Sequence, residues 1–127
     1  MGMERVATDD APAAVGPYSQ AVKAGGLVFV SGQIPLTPSG EMVKGGIAEQ
    51  VRQALANLRA VLSAAGSGLD RVVQVTVYLT DMDAFEELNR VYAEFFEEPY
   101  PARAVVEVSR LPKGAQVEVA AVALGGA

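Results

Sequence analysis

Cysteine and histidine are both absent from this 127-residue chain. Without cysteine there is no disulfide, no thiolate nucleophile and no Cys-ligated metal. Without histidine there is no Ser-His-Asp triad, no usual neutral-pH acid–base group and none of the commonest transition-metal ligand. Whatever chemistry the chain performs rests on Asp, Glu, Arg, Lys, Tyr, Ser, Thr or backbone amides. Basic charge is scarce as well: ten Lys and Arg stand against fifteen Asp and Glu, for a formal net charge of −5. Nucleic-acid binding draws on clustered cations that neutralise phosphates, so a polyanion is a poor partner. No apolar run reaches the roughly eighteen residues needed to span a membrane. The N-terminal MGMERVATDD places acids where a secretion signal needs its apolar stretch. Val6 stands where a myristoylation signal following Gly2 requires Ser or Thr. The chain is expected to be soluble and cytoplasmic.

What is abundant is apolar surface. Hydrophobic residues make up 50% of the chain and charged ones 20%, a surplus that either fills a generous core or is hidden between subunits. By length the chain is one domain over 1–127. Residues 1–16 are irregular apart from a short strand around Arg5 to Ala7, because Pro12, Gly16 and Pro17 discourage a helix. Gln20 to Ala24 and Leu27 to Ser31, divided by Gly25-Gly26, read as a β-hairpin. Residues 35–46, rich in Pro and Gly, read as loop. Ile47, Val51, Leu55, Leu58, Leu62 and Ala65 follow a 3–4 spacing that predicts an amphipathic helix capped at Gly66. Val72 to Thr80 is β-branched and reads as a strand, the far end of a βαβ-like step. Asp83 and Glu86 resemble a capping box ahead of a second helix whose apolar face is Phe85, Leu88, Val91, Tyr92, Phe95 and Phe96. Two strands follow, Arg103 to Val108 and Gln116 to Leu124. The order predicts an α+β domain with a mixed sheet and both helices on one face. The last strand carries Ala and Val on both sides, so the bare sheet face is expected to pack against other subunits.

Arg103 and Glu118 each interrupt an apolar strand, and they can lie close together if those two strands pair. Two readings remain open: a cross-strand ion pair, or a ligand site. A buried pair is often no more stabilising than apolar residues, whereas the planar fork of Arg matches a ligand carboxylate. Tyr18 in GPYSQ is either a packing residue or a rim residue. Ser31-Gly32 either ends a strand or lets a ligand approach free backbone amides. Asn89, on the second helix, is by itself surface filler. Asp81, Asp83, Glu86 and Glu87 are better read as dipole-compensating acids at a helix start than as a metal cluster. No metal is expected. No phosphate-binding loop or dinucleotide fingerprint is present. The three lysines, Lys23, Lys44 and Lys113, occupy polar or turn contexts unsuited to a Schiff base.

GPYSQ at 16–20, VFVSGQIPL at 28–36, VVQVTVYLTDM at 72–82, FEELNRVYAEFF at 85–96 and PARAVVEVSRLPKGAQVEVAAVA at 101–123 resemble the Rid/YjgF family, and within it the RidA-type imine deaminases. The resemblance implies a homotrimer of chorismate-mutase-like subunits, with ligand clefts between neighbours. It also implies hydrolysis of 2-iminobutanoate and 2-iminopropanoate, released by pyridoxal-phosphate dehydratases, to 2-keto acids and ammonia. By position, Arg103 resembles the arginine that binds the substrate carboxylate and Glu118 the glutamate that holds the attacking water. Tyr18, Ser31, Gly32 and Asn89 match other cleft positions. Many members carry Cys two residues after the arginine; Val105 stands here, which removes thiol-based behaviour but not hydrolysis. No cofactor is required, since a protonated imine is already electrophilic. The direction of the Glu118 pKa is open, because burial raises it and a nearby guanidinium lowers it. The alternatives are a protein that binds 2-keto acids without turnover and an RNA-cleaving translation inhibitor.

Overall fold

The computed structural model describes residues 2–125; positions 1, 126 and 127 of the expected domain lie outside the described residues. Six strands form one sheet: β1 (Glu4–Val6), β2 (Ala21–Ala24), β3 (Leu27–Gln33), β4 (Val72–Leu79), β5 (Ala102–Glu107) and β6 (Val117–Leu124). Their spatial order is β1-β2-β3-β6-β4-β5, with only the β4–β5 pair parallel. The sheet is therefore mixed, as the sequence predicts.

Two helices, α1 (Ile47–Ala64) and α2 (Phe85–Tyr92), cover one side of it. Val51, Leu55, Leu58 and Leu62 of α1 are fully buried, each stabilising the fold by about 2 kcal/mol through area removed from water. They meet Val28 and Val30 of β3, Val75, Val77 and Leu79 of β4, and Val117, Val119, Ala121 and Ala123 of β6, all buried in the same cluster. Helix α1 begins where the Glu49 carboxylate accepts from the Gly46 amide at 3.0 Å. It ends at Gly66 in the left-handed region (φ 77), where Ser67 N donates to Leu62 O at 2.9 Å and Gly66 N to Ser63 O at 3.0 Å. This is the glycine-closed cap the sequence predicts.

Three expectations need correction. Strands β5 and β6 do not pair, because β4 lies between them. The physical reason is in β6: its Ala and Val on both sides suit a central position between β3 and β4, while the shorter, more exposed β5 takes the edge. Helix α2 stops at Tyr92, and the chain turns through Ala93–Phe96 with Phe96 still buried. The capping carboxylate before it is Asp81, whose Oδ1 accepts from Asp83 N at 2.9 Å, rather than Asp83. Glu107 of β5 accepts from the Met82 amide at 2.7 Å and fixes the same turn.

The other sheet face carries Leu27 and Phe29 of β3, Thr76 and Tyr78 of β4, Ala104 and Val106 of β5, and Glu118, Ala120, Val122 and Leu124 of β6. Phe29, Val106 and Leu124 are each exposed by more than 40%. An exposed, largely apolar face of this extent is unusual for an isolated chain.

The loop between β3 and α1 is tied down from the helix. Asn57, 1% exposed, donates through Nδ2 to Ile34 O at 3.1 Å and Leu36 O at 2.8 Å. Asn57→Ala is expected to cost about 2–3 kcal/mol by orphaning those carbonyls. Chemical denaturation checks the loss, and faster amide exchange over 34–43 checks that the loop is what loosens.

Candidate functional site

The site residues fall into two groups. The first surrounds Glu118. Between β3 and β6 the register runs Val30↔Ala121 and then Gln33↔Val119, so Ser31 and Gly32 together face Ala120 alone, a β-bulge. The Ser31 amide donates to Gln20 O at 3.0 Å and its hydroxyl to Ser19 O at 2.6 Å. That pair of bonds fastens the GPYSQ segment along the bulge and leaves Tyr18, 51% exposed, at the mouth of a cleft. The Ser31 amide is thus already used, contrary to the reading of free backbone amides at this position. Gln20, buried, draws in the N-terminal segment by accepting from Thr8 N at 2.7 Å and donating to Pro12 O at 2.8 Å.

The Glu118 carboxyl lies against Gly32: a Cβ there would stand 2.6 Å from Glu118 Cδ. Gly32 therefore leaves the space that the Glu118 carboxyl fills, and a methyl group there would push that carboxyl aside. The cleft measures about 630 Å³, with Tyr18, Ser31, Gly32 and Glu118 on its polar side and Val15, Ile34, Leu36 and Pro38 on its apolar side. Pro112 and Lys113 close it from the turn before β6, Lys113 in the left-handed region (φ 58). Burial pushes the Glu118 carboxyl above the usual carboxylate range, and no cation among the described residues pulls it back. The direction left open by the sequence is upward.

The second group surrounds Arg103. Phe85, Asn89 and Tyr92 recur at i, i+4 and i+7 on α2, so they form one stripe. The Arg103 guanidinium carbon lies 4.8 Å from the Tyr92 ring centroid and 5.6 Å from that of Phe85. With Asn89, Tyr92, Ala93, Tyr100 and Pro101 it lines a hollow of about 340 Å³. Among the described residues the ion pairs are Arg52–Glu94 and Arg90–Glu87, and Arg103 belongs to neither. The Tyr92 hydroxyl is buried without a hydrogen-bond partner; burial raises its pKa, while the charge of Arg103 acts in the opposite direction.

The two groups do not meet within one chain. Arg103 pairs with Val75 and Val75 with Ala121, all on the helix side. Glu118 pairs with Tyr78 and Tyr78 with Val106, all on the bare side. Ala121 and Glu118 are an odd number of residues apart on β6, so their side chains leave opposite faces. The cross-strand ion pair considered from the sequence is thereby excluded within the chain. Sequence reasoning placed Phe85 and Tyr92 on the apolar helical face, and Tyr92 does belong to the core cluster. What it missed is that both rings also flank Arg103; the polar Asn89 inside their stripe was the available signal. Among the described residues no three of His, Cys, Asp and Glu gather as a metal site, and Asp81 is engaged in capping. No helix among them is long and apolar enough to cross a membrane.

The family profile described as Endoribonuclease L-PSP matches residues 8–125. The chain belongs to this family, the Rid/YjgF family. A RutC family protein of Pyrococcus horikoshii is 54% identical over 121 residues, 94% of this chain and 96% of that protein. The Homo sapiens protein named 2-iminobutanoate/2-iminopropanoate deaminase is 45% identical over 122 residues, covering 95% of this chain and 89% of its own. The crystal structure of E. coli TdcF with bound serine superposes with a TM-score of 0.90 at 40% identity, covering 95% of this chain and 98% of TdcF. The two-helix mixed sheet is thus the fold of the Rid/YjgF family.

Glu118 gives a stability test. A carboxyl titrating above its unfolded value is neutral in both states at low pH and is penalised in the folded state once it ionises. The penalty is absent below the unfolded pKa and grows as pH rises through the folded one. Glu118→Gln is expected to melt a few degrees higher than wild type at neutral pH. The gain should vanish when the melts are repeated below the carboxylate range.

Proposed function

We propose that the chain hydrolyses small 2-imino acids to 2-keto acids and ammonia, in a cleft built by two copies of the chain. The observation that carries the reading is the state of Arg103. Its guanidinium sits beside an open hollow on two aromatic faces, with no carboxylate partner among the described residues. A charge left in that state suits an incoming carboxylate, which the planar fork can hold with two bonds. Serine bound in TdcF and the name of the human relative support a small carboxylate carrying nitrogen at the 2-position.

In this reading Arg103 of one copy faces the Glu118 cleft of the next, and the bare apolar sheet face provides the contact that brings them together. Three copies in a ring accommodate such a head-to-tail arrangement. Arg103 and Asn89 hold the carboxylate, and Tyr18 and Ser31 border the opposite wall. Glu118 accepts a proton from water as the oxygen adds to the imine carbon, giving a tetrahedral carbinolamine. The same carboxyl then returns the proton to nitrogen and, as the C–N bond breaks, accepts the hydroxyl proton, so that ammonia leaves and the carbonyl of the 2-keto acid forms. A carboxyl raised above its ordinary range by burial is the stronger base for the first step and still an acid for the second.

Supplying a threonine dehydratase and following ammonia release tests the activity. Arg103→Ala is expected to lower kcat/KM by about 10–100-fold, the value of a hydrogen bond to a charged group. Glu118→Gln is expected to lower kcat by about 10²–10⁴-fold. Gly32→Ala, which sets a methyl group against the Glu118 carboxyl, should reduce kcat while leaving the fold intact. Keto-acid binding without any acceleration would instead favour a sensor. RNA cleavage, suggested by the family's description, is opposed by the net charge of −5; cleavage persisting in an Arg103→Ala, Glu118→Ala variant would mark a contaminant.

The two-copy arrangement has its own test. Arg103→Ala and Glu118→Ala chains, each strongly impaired alone, are unfolded, mixed in equal amounts and refolded together. About a quarter of the sites should then combine an intact Arg103 with an intact Glu118 under random assembly. Activity that stays at background in the mixture overturns the shared cleft.

A further inference from the structure

A carboxylate partner compensates an arginine's charge and occupies some of its donors. Arg103 is held differently. Its guanidinium lies over the Tyr92 ring at 4.8 Å and the Phe85 ring at 5.6 Å. An aromatic face attracts a cation through its quadrupole without accepting any of the five guanidinium N–H bonds. Tyr92 is a fixed support: it is 6% exposed and stacked on Phe96 with centroids 4.5 Å apart and planes 25° from parallel. Phe85, at 37% exposed, lies at the rim and is less constrained. The Tyr92 hydroxyl is buried with no partner, a state that costs stability; the ring is therefore the part of this side chain that contributes.

We propose that Tyr92 is a positioning residue whose ring face seats the Arg103 guanidinium in its hollow with every donor left for the ligand. Its effect on turnover rests on the imine-hydrolase reading, whereas its effect on Arg103 does not. A seat of this kind acts on carboxylate binding more than on the chemical step, because it touches neither water nor the imine carbon. Tyr92→Leu removes the π face while keeping apolar volume, and Tyr92→Phe keeps the face while removing the orphan hydroxyl.

The experiment compares wild type, Tyr92→Phe and Tyr92→Leu by three measurements on the full chain. In proton–nitrogen spectra the Arg103 Nε–H proton should lie upfield through the ring current in wild type and Tyr92→Phe, and return toward the ordinary arginine position in Tyr92→Leu. Calorimetry with 2-oxobutanoate should give a Kd about five- to tenfold weaker for Tyr92→Leu and little changed for Tyr92→Phe, the range of a partly desolvated cation–π contact. Imine hydrolysis should show the same split in KM, with kcat within about twofold. An unshifted Arg103 resonance in wild type overturns the proposal without need of any variant. So does a loss in Tyr92→Phe equal to that in Tyr92→Leu, which would assign the role to the hydroxyl. If Tyr92→Leu fails to fold, Phe85→Leu and the wild-type resonance decide the question. The expected shift and Kd without imine turnover in wild type would sink the hydrolase reading and leave the seat standing.

Discussion

An arginine that is charged, half-buried and without a carboxylate partner among the described residues is the constraint around which this structure is arranged. Burying a cation without a partner is costly, and the protein meets the cost with aromatic faces instead of an acid. That choice explains why α2 carries Phe85, Asn89 and Tyr92 on one stripe and why β5, though an edge strand, is covered on its helix side. Glu107, on the same face of β5, has its carboxylate on the Met82 amide. Neutralising Arg103 internally would have been simpler for the fold and would have closed the hollow to an anion.

The placement of β6 sets the second half of the arrangement. Inserted between β3 and β4, it puts Glu118 beside the Ser31-Gly32 bulge, where one missing side chain makes room for a carboxyl. Several structural bonds then converge on that spot: Ser31 on Ser19 and Gln20, Gln20 on Thr8 and Pro12, Asn57 on Ile34 and Leu36. Each anchors a segment that would otherwise be loose, so the wall of the cleft is rigid although most of it is loop. Preorganised surroundings of this kind are what a water-directing carboxylate needs.

Much of this was legible in the sequence. The order of strands and helices, the apolar spacing of α1, its glycine cap and the two-sided apolar character of β6 follow from periodicity and local chemistry. Spatial strand order did not follow, because a period of two records which residues share a face and nothing about which strand lies alongside. The supposed closeness of Arg103 and Glu118 failed for that reason. The contact of Phe85 and Tyr92 with Arg103 was hidden in the apolar stripe of α2, because a helix stripe of aromatics looks the same whether it meets leucine or a guanidinium. Ser31 was legible as a strand end, but its two bonds to the GPYSQ segment depend on a bulge that no local pattern announces.

Setting Arg103 and Glu118 on opposite sides of one sheet has a consequence for behaviour at low abundance. Under the two-copy reading a lone subunit holds only fragments of a site, so output follows the law of mass action in the chain itself. Halving expression near the association threshold would cut activity by more than half. A faulty gene product would likewise spoil the pocket it shares with a healthy neighbour, so that its defect spreads beyond its own numbers.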